Sequence, residues 1–206
     1  MPARTLDDDD LLDRLADVFR AAGYEGASLR DLSSATGLQR SSLYHRFPGG
    51  KAQMAAEVVR RVGAAGMDAV FAPLDHPHEP VTVADVEAVG RSLAAFYADG
   101  SASCLLDTMS LRDHASPAAG DAVGEALAAT AQRWIKAFAG VATSAGAEAG
   151  EALARAEDAI AAIEGALVLC RVTGDRAAFD RAIARLPTAL IGGTKQTKHT
   201  KRSTRD

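Results

Sequence analysis

The chain has 206 residues, 48% of them hydrophobic, 24% charged and 5% aromatic, with a formal net charge of −4. That is the composition of a soluble globular protein long enough to bury a substantial core. No run of about 18 apolar residues exists to cross a membrane, and two cysteines, Cys104 and Cys170, make neither a disulfide framework nor a metal cluster.

Alanine, the best helix former and a small side chain, occurs 45 times. So many alanines with so few aromatics predict an all-α protein of closely packed helices. The opening segment MPARTLDDDD is acidic and lacks an apolar stretch, so no secretory signal is expected and a cytoplasmic location is.

Leu12, Leu15, Phe19 and Ala22 fall on one face of a helix over 11–22, with Gly23 as its stop and an aspartate run at its positive end. That run reads as a solvated cap. Ser28-Leu29-Arg30-Asp31 has the capping-box pattern and opens a short helix that Gly37 breaks. A second short helix, Gln39 to Arg46, ends at Pro48-Gly49-Gly50. Two short helices joined by a glycine-containing turn have helix-turn-helix geometry.

Lys51 begins a longer helix with Met54, Val58 and Val62 on one side, and residues 72–80 form a proline-rich loop. Further helices are expected at 83–98, 103–111, 117–142, 148–172 and 176–186, the last ending before Pro187. About nine helices and no strand result. From Gly192 the chain is polar, basic and aperiodic, which reads as disorder.

The net charge hides a split. Residues 62–192 carry nine basic and seventeen acidic residues, whereas the last fourteen are net +4. Residues 28–51 hold Arg30, Arg40, Arg46 and Lys51 against Asp31 alone. A phosphate backbone responds to this local excess, not to the total.

The segment SLRDLSSATGLQRSSLYHRFPGGK, Ser28 to Lys51, resembles the DNA-binding domain of the TetR family of transcriptional regulators. The matching features are the capped helix with Leu32, the Thr36-Gly37-Leu38 turn, Leu43-Tyr44-His45, Phe47 and Lys51. The Phe47-Pro48-Gly49-Gly50-Lys51 variant looks like the TetR/AcrR branch that contains drug-efflux regulators.

The resemblance implies a three-helix DNA-binding domain at 1–50, a connecting helix at 51–71, an effector and dimerisation domain at 72–190, and a basic tail at 191–206. It also implies a homodimeric repressor of a palindromic double-stranded operator, released by a small-molecule effector, with Tyr44 and Lys51 on phosphates. The alternative is a helical ligand-binding protein of this family that no longer binds DNA.

On chemical grounds Arg40 and Gln39 are the best base readers, since arginine pairs bidentately with guanine and glutamine with adenine. Ser41, Ser42 and His45 share that outward face, and Arg30 adds to the basic window. Ser28 has a dual claim, since its capping hydroxyl and an adjacent N–H can both meet a phosphate.

For the effector, hydrophobic or cationic, the candidate contacts are Phe96, Leu105, Met109, Trp134 and Phe138. Asp107, set among apolar neighbours, is a candidate counter-charge. Ile160, Ile163, Leu167 and Cys170, then Phe179 and Ile183, form two apolar stripes expected at the dimer interface. Glycine loops, nucleophile elbows and zinc-protease motifs are missing, so no catalytic residue, metal or cofactor is expected. The cluster Asp75-His76-Pro77-His78-Glu79 reads as a solvated turn.

Overall fold

The computed structural model describes residues 7–75, 79–111 and 121–192. Among them lie nine α-helices and no strand. The helices are α1 (Asp8–Gly26), α2 (Leu29–Thr36), α3 (Arg40–Arg46), α4 (Gly50–Phe71), α5 (Val83–Phe96), α6 (Leu105–Ser110), α7 (Ala122–Ser144), α8 (Ala149–Thr173) and α9 (Ala177–Ile191). None is long and apolar enough to cross a membrane. The predicted tail from residue 193 on, the Asp75–Glu79 cluster in its central part, and the start expected at 117 lie outside the described residues, while Ile191, expected to open the tail, ends the last helix.

Four of the nine described helices, α1, α2, α5 and α7, begin on a capping polar side chain. The Asp7 carboxylate accepts from the Asp10 amide at 2.8 Å and starts α1. The acidic run does more than cap. Asp8 pairs with Arg46 at the end of α3, and Asp9 lies 3.0 Å from Arg61 of α4, so three helices are tied at the surface. Thr82 and Asp85 close a full capping box on α5.

The core has two parts. In the first, Leu15, Phe19, Leu32, Leu43, Phe47 and Met54 pack α1, α2 and α3 onto the first half of α4. Leu105 and Met109 of α6 and Val123 and Leu127 of α7 complete this same cluster. In the second, Leu93, Trp134, Phe138, Ile163, Phe179 and Leu190 join α5, α7, α8 and α9. The side chain of Leu106 touches both parts.

Gly23 sits inside α1 at φ +66° and ψ −176°, a conformation reserved almost wholly for glycine. A Cβ there would lie 2.9 Å from the Thr108 carbonyl of α6. The expected stop is therefore a kink that lets α1 and α6 approach backbone to backbone.

One expected boundary is overturned. The last helix runs through Pro187 to Ile191 instead of ending before it. A proline in a helix interior removes one backbone bond, but tertiary packing compensates. Beyond it Leu190 is fully buried, and Arg155 Nη1 donates to the Leu190 carbonyl at 2.9 Å, satisfying the helix end.

Candidate nucleic-acid interface and buried cavity

The interface grows from the turn between α2 and α3. Ser28 Oγ accepts from the Asp31 amide at 3.2 Å and donates to its carboxylate at 2.5 Å, fixing the start of α2. Gly37 ends α2 at φ +71°, where a side chain would be strained. Three bonds then pin the turn. Ser33 Oγ donates to the Leu38 carbonyl, Thr36 Oγ1 donates to the Leu32 carbonyl at 2.8 Å, and the Leu38 amide donates back to Thr36 Oγ1 at 3.3 Å.

The turn sets the angle of α3. Leu43 and Phe47 anchor the helix inward, at 0% and 1% exposure. Gln39, Arg40, Ser41, Ser42, Tyr44 and His45 all point to solvent on the other side, together with Ser28 and Arg30. Neither Arg30 nor Arg40 has an acidic partner among the described residues. Arg30, Ser33, Ser34, Gln39 and Arg40 line one shallow groove beside the turn. Lys51 is placed differently. It is half-buried, donating from Nζ to the Tyr24 carbonyl at 2.9 Å and lying 4.6 Å over the Tyr24 ring.

The face presented is therefore a short helix with hydrogen-bonding side chains turned to solvent and Asp31, held by Ser28, as the one carboxylate in the window. Such a surface can meet base edges and phosphates together.

A cavity opens between α4, α5, α6, α7 and α8. Its space, mouth included, is about 790 Å³, of which about 80 Å³ admits the centre of a water molecule. Phe96, Leu105, Trp134 and Phe138, all predicted ligand contacts, line its wall. Their rings cluster: Phe96 and Phe138 each have their centroid 6.2 Å from that of Trp134. Met109 belongs instead to the core under α1.

Asp107 lies outside this wall. It is tied at 2.5 Å to Arg171 of α8, an arginine the sequence reading did not nominate as its partner. The carboxylate that does face the cavity is Glu164 of α8, with Cys104 and Tyr97 beside it, and Thr130 lines the same space. Tyr97 Oη donates to Cys104 Sγ at 3.5 Å. Burial pushes the Cys104 thiol up to about 12 and raises the Tyr97 phenol well above its usual value. Glu164 went unnoticed in the sequence because it sits between Ile163 and Gly165 on a helix rich in alanine, with no local pattern to mark it.

Burial likewise raises the Glu164 carboxyl above its ordinary range. Relative to the unfolded chain the fold favours the protonated form, so this group's contribution to stability is fullest at acid pH and is lost as pH rises through its folded-state value. Replacing Glu164 by Gln is expected to raise the melting temperature at pH 8 and to lose that gain towards pH 4. Equal gains at both pH values would show that the charge is not the cause.

The two stripes on α8 and α9 turn inward. Ile163, Leu167, Cys170 and Phe179 are buried within the protomer. Ile160 lines the cavity, and Ile183 packs against Gly90 of α5. The outward face of α8 carries Ala161, Ala162, Gly165, Leu169 and Val172, the last two 52% and 76% exposed. No group of three or more metal-ligating side chains occurs among the described residues.

Two family models match the chain. Residues 11–58 match the model for bacterial regulatory proteins of the tetR family, and residues 84–185 match that for the C-terminal domain of LmrA/YxaF-like transcriptional regulators. No curated protein matches. Among solved structures, a TetR transcriptional regulator from Legionella pneumophila superposes with a TM-score of 0.77 at 16% identity, covering 92% of this chain and 100% of its own. A TetR family regulator from Agrobacterium tumefaciens gives 0.72 at 20% identity, with 88% and 96% covered. A cysteine mutant of the TetR family regulator CifR, complexed with 26 bp double-strand operator DNA, gives 0.69 at 24% identity, with 91% and 97% covered.

Proposed function

Because the chain belongs to the TetR family of bacterial regulatory proteins, we propose that it is a cytoplasmic repressor that grips a palindromic operator as a homodimer and releases it when a small molecule fills the cavity. The observation that carries this reading is α3. Its inward residues are locked by packing, while Gln39, Arg40, Ser41, Ser42, Tyr44 and His45 stand free towards solvent. Arg40 and Gln39 read bases; Ser28, Arg30 and Tyr44 hold phosphate. Lys51 orders the Tyr24 carbonyl end of α1 against the start of α4 and adds positive charge nearby.

In this reading residues 1–50 are the DNA-binding unit, 51–71 the connecting helix, 72–190 the effector and dimer unit, and 191–206 a basic tail. Two copies meet through α8 and α9. Ile160, Ile163, Leu167, Cys170, Phe179 and Ile183 hold those helices in place from inside, and the small outward residues Ala161, Ala162 and Gly165 permit a close approach of the second copy. A two-fold pair then presents two reading helices at one fixed spacing. Phe96, Leu105, Trp134 and Phe138 contact the effector. Asp107 does not touch it; with Arg171 it steadies α6 at the cavity's edge.

An effector that prefers a different spacing of the reading helices lowers operator affinity by its differential binding energy, about 1–3 kcal/mol in typical switches. The test begins with duplexes selected from a random pool by the full chain. Binding is expected to weaken steeply with salt. Arg40→Ala should cost about 1–3 kcal/mol and relax discrimination at one base pair, with melting unchanged. Tyr44→Ala should weaken all sequences alike. Full affinity in both variants would contradict the assignment of this face.

A further inference from the structure

The cavity wall is apolar except at a few atoms, and two of those have no partner. Glu164 Oε2 is buried and accepts no hydrogen bond, and Thr130 Oγ1 is buried and unbonded on a residue only 4% exposed. Both residues line the cavity. An unsatisfied buried polar atom costs about 1–3 kcal/mol, more if it is charged. Leaving two beside one space is unfavourable unless a ligand supplies what they lack. Burial favours the protonated Glu164 carboxyl, whereas a cation beside it would hold it ionised, and the ionised carboxylate, which can only accept, then calls for a donor.

Resting on the reading of this cavity as the effector site, we propose that its ligand is a small aryl-alkyl ammonium. The ammonium group bonds Glu164 and Thr130, and the ring packs among Phe96, Trp134 and Phe138.

The surrounding charges support this polarity. Glu164 is the only carboxylate among the described residues that line the cavity. The neighbouring cations are already engaged: Arg20, at the mouth, lies 3.4 Å from Asp17, and Arg171 lies 2.5 Å from Asp107. Tyr97 donates to Cys104, whose thiol in turn reaches the Glu164 carboxyl, and both groups stay neutral. A bound ammonium therefore meets the one carboxylate oxygen, Glu164 Oε2, that has no partner. Phe96, Trp134 and Phe138 line the space, and an aromatic face attracts a cation most strongly when water is excluded. Residues 62–192 carry a net excess of acid, which draws cations toward this half of the chain.

The experiment is calorimetric titration of the full chain with three probes of one shape: phenethylamine as its ammonium ion, the uncharged propylbenzene, and the anion hydrocinnamate. Phenethylammonium should bind about tenfold or more tightly than propylbenzene, and hydrocinnamate more weakly than both. Glu164→Gln should erase the preference while leaving propylbenzene affinity unchanged, which also certifies that the variant is folded. A second variant, Thr130→Val, should reduce ammonium binding by a smaller factor.

Propylbenzene binding as tightly as the ammonium, or a preference that survives Glu164→Gln, would overturn the ammonium assignment and leave the cavity as a ligand site. Binding of none of the three would overturn both.

Discussion

Phe47→Ala is expected to lower the stability of the fold by about 3–5 kcal/mol, the range for removing a buried phenylalanine. Phe47 is 1% exposed and follows α3 directly, with its amide bonded to the Leu43 carbonyl at 2.8 Å. It shares a cluster with Phe19, Leu32, Leu43 and Met54. Because α3 has only seven residues, it cannot hold its own shape in water. Leu43 and Phe47 are its main attachments, so the variant should melt at markedly lower temperature and lose DNA affinity as α3 loosens. A total stability of about 5–15 kcal/mol leaves little margin for such a loss. The contrast with Arg40→Ala is the useful part. That change should weaken affinity by about 1–3 kcal/mol while melting like the parent. An unchanged midpoint in Phe47→Ala would mean that α3 is held by something other than this core.

Gly23→Ala combines two separate penalties and is the second large expectation. A φ of +66° with a ψ of −176° costs a residue with a side chain about 1–3 kcal/mol. The new Cβ would also sit 2.9 Å from the Thr108 carbonyl oxygen, which is backbone and cannot swing away. The contact between α1 and α6 must therefore open. Denaturant titration should show a midpoint shift larger than a helix-interior glycine-to-alanine change would give, and of opposite sign to the usual stabilisation. Operator affinity should become less sensitive to effector, since α6 borders the cavity through Cys104 and Leu105 and α1 belongs to the DNA-facing half. A neutral or stabilising outcome would show that the backbone at Gly23 is not constrained as described.

Local chemistry made the DNA-facing half legible in the sequence. Ser28, Gly37 and the Pro48-Gly49-Gly50 run punctuate the helices through effects confined to a few residues, and those signals survive any tertiary context. Leu43 and Phe47 differ sharply from the serines and arginine around them, so inward and outward faces separate without ambiguity.

The other half lacks that contrast. On α8, alanine occupies every side of the helix, so Ile160, Ile163 and Leu167 stand out as the only stripe, and they mark the protomer's own core. The opposite face, Ala161, Gly165 and Leu169, carries no distinctive signature. Asp107 attracted notice through its neighbours in sequence, whereas its partner Arg171 is sixty-four residues away. Glu164 faces the cavity only because α6 and α8 meet there, which no window along the chain reveals. Pro187 misled for a related reason: the side-chain bond that satisfies the end of α9 beyond it comes from Arg155 on a different helix.

The cluster beneath the reading helix is closed by Leu105, Met109, Val123 and Leu127, which belong to the distant half of the chain. The head is thus not a detachable module. Grafting residues 1–50 onto the body of another family member would strand an apolar floor without its lid, so new operator specificity has to arise by changing the exposed face of α3 in place. Evolution can swap letters on that face freely, but it must inherit α6 and α7 together with the head that rests on them.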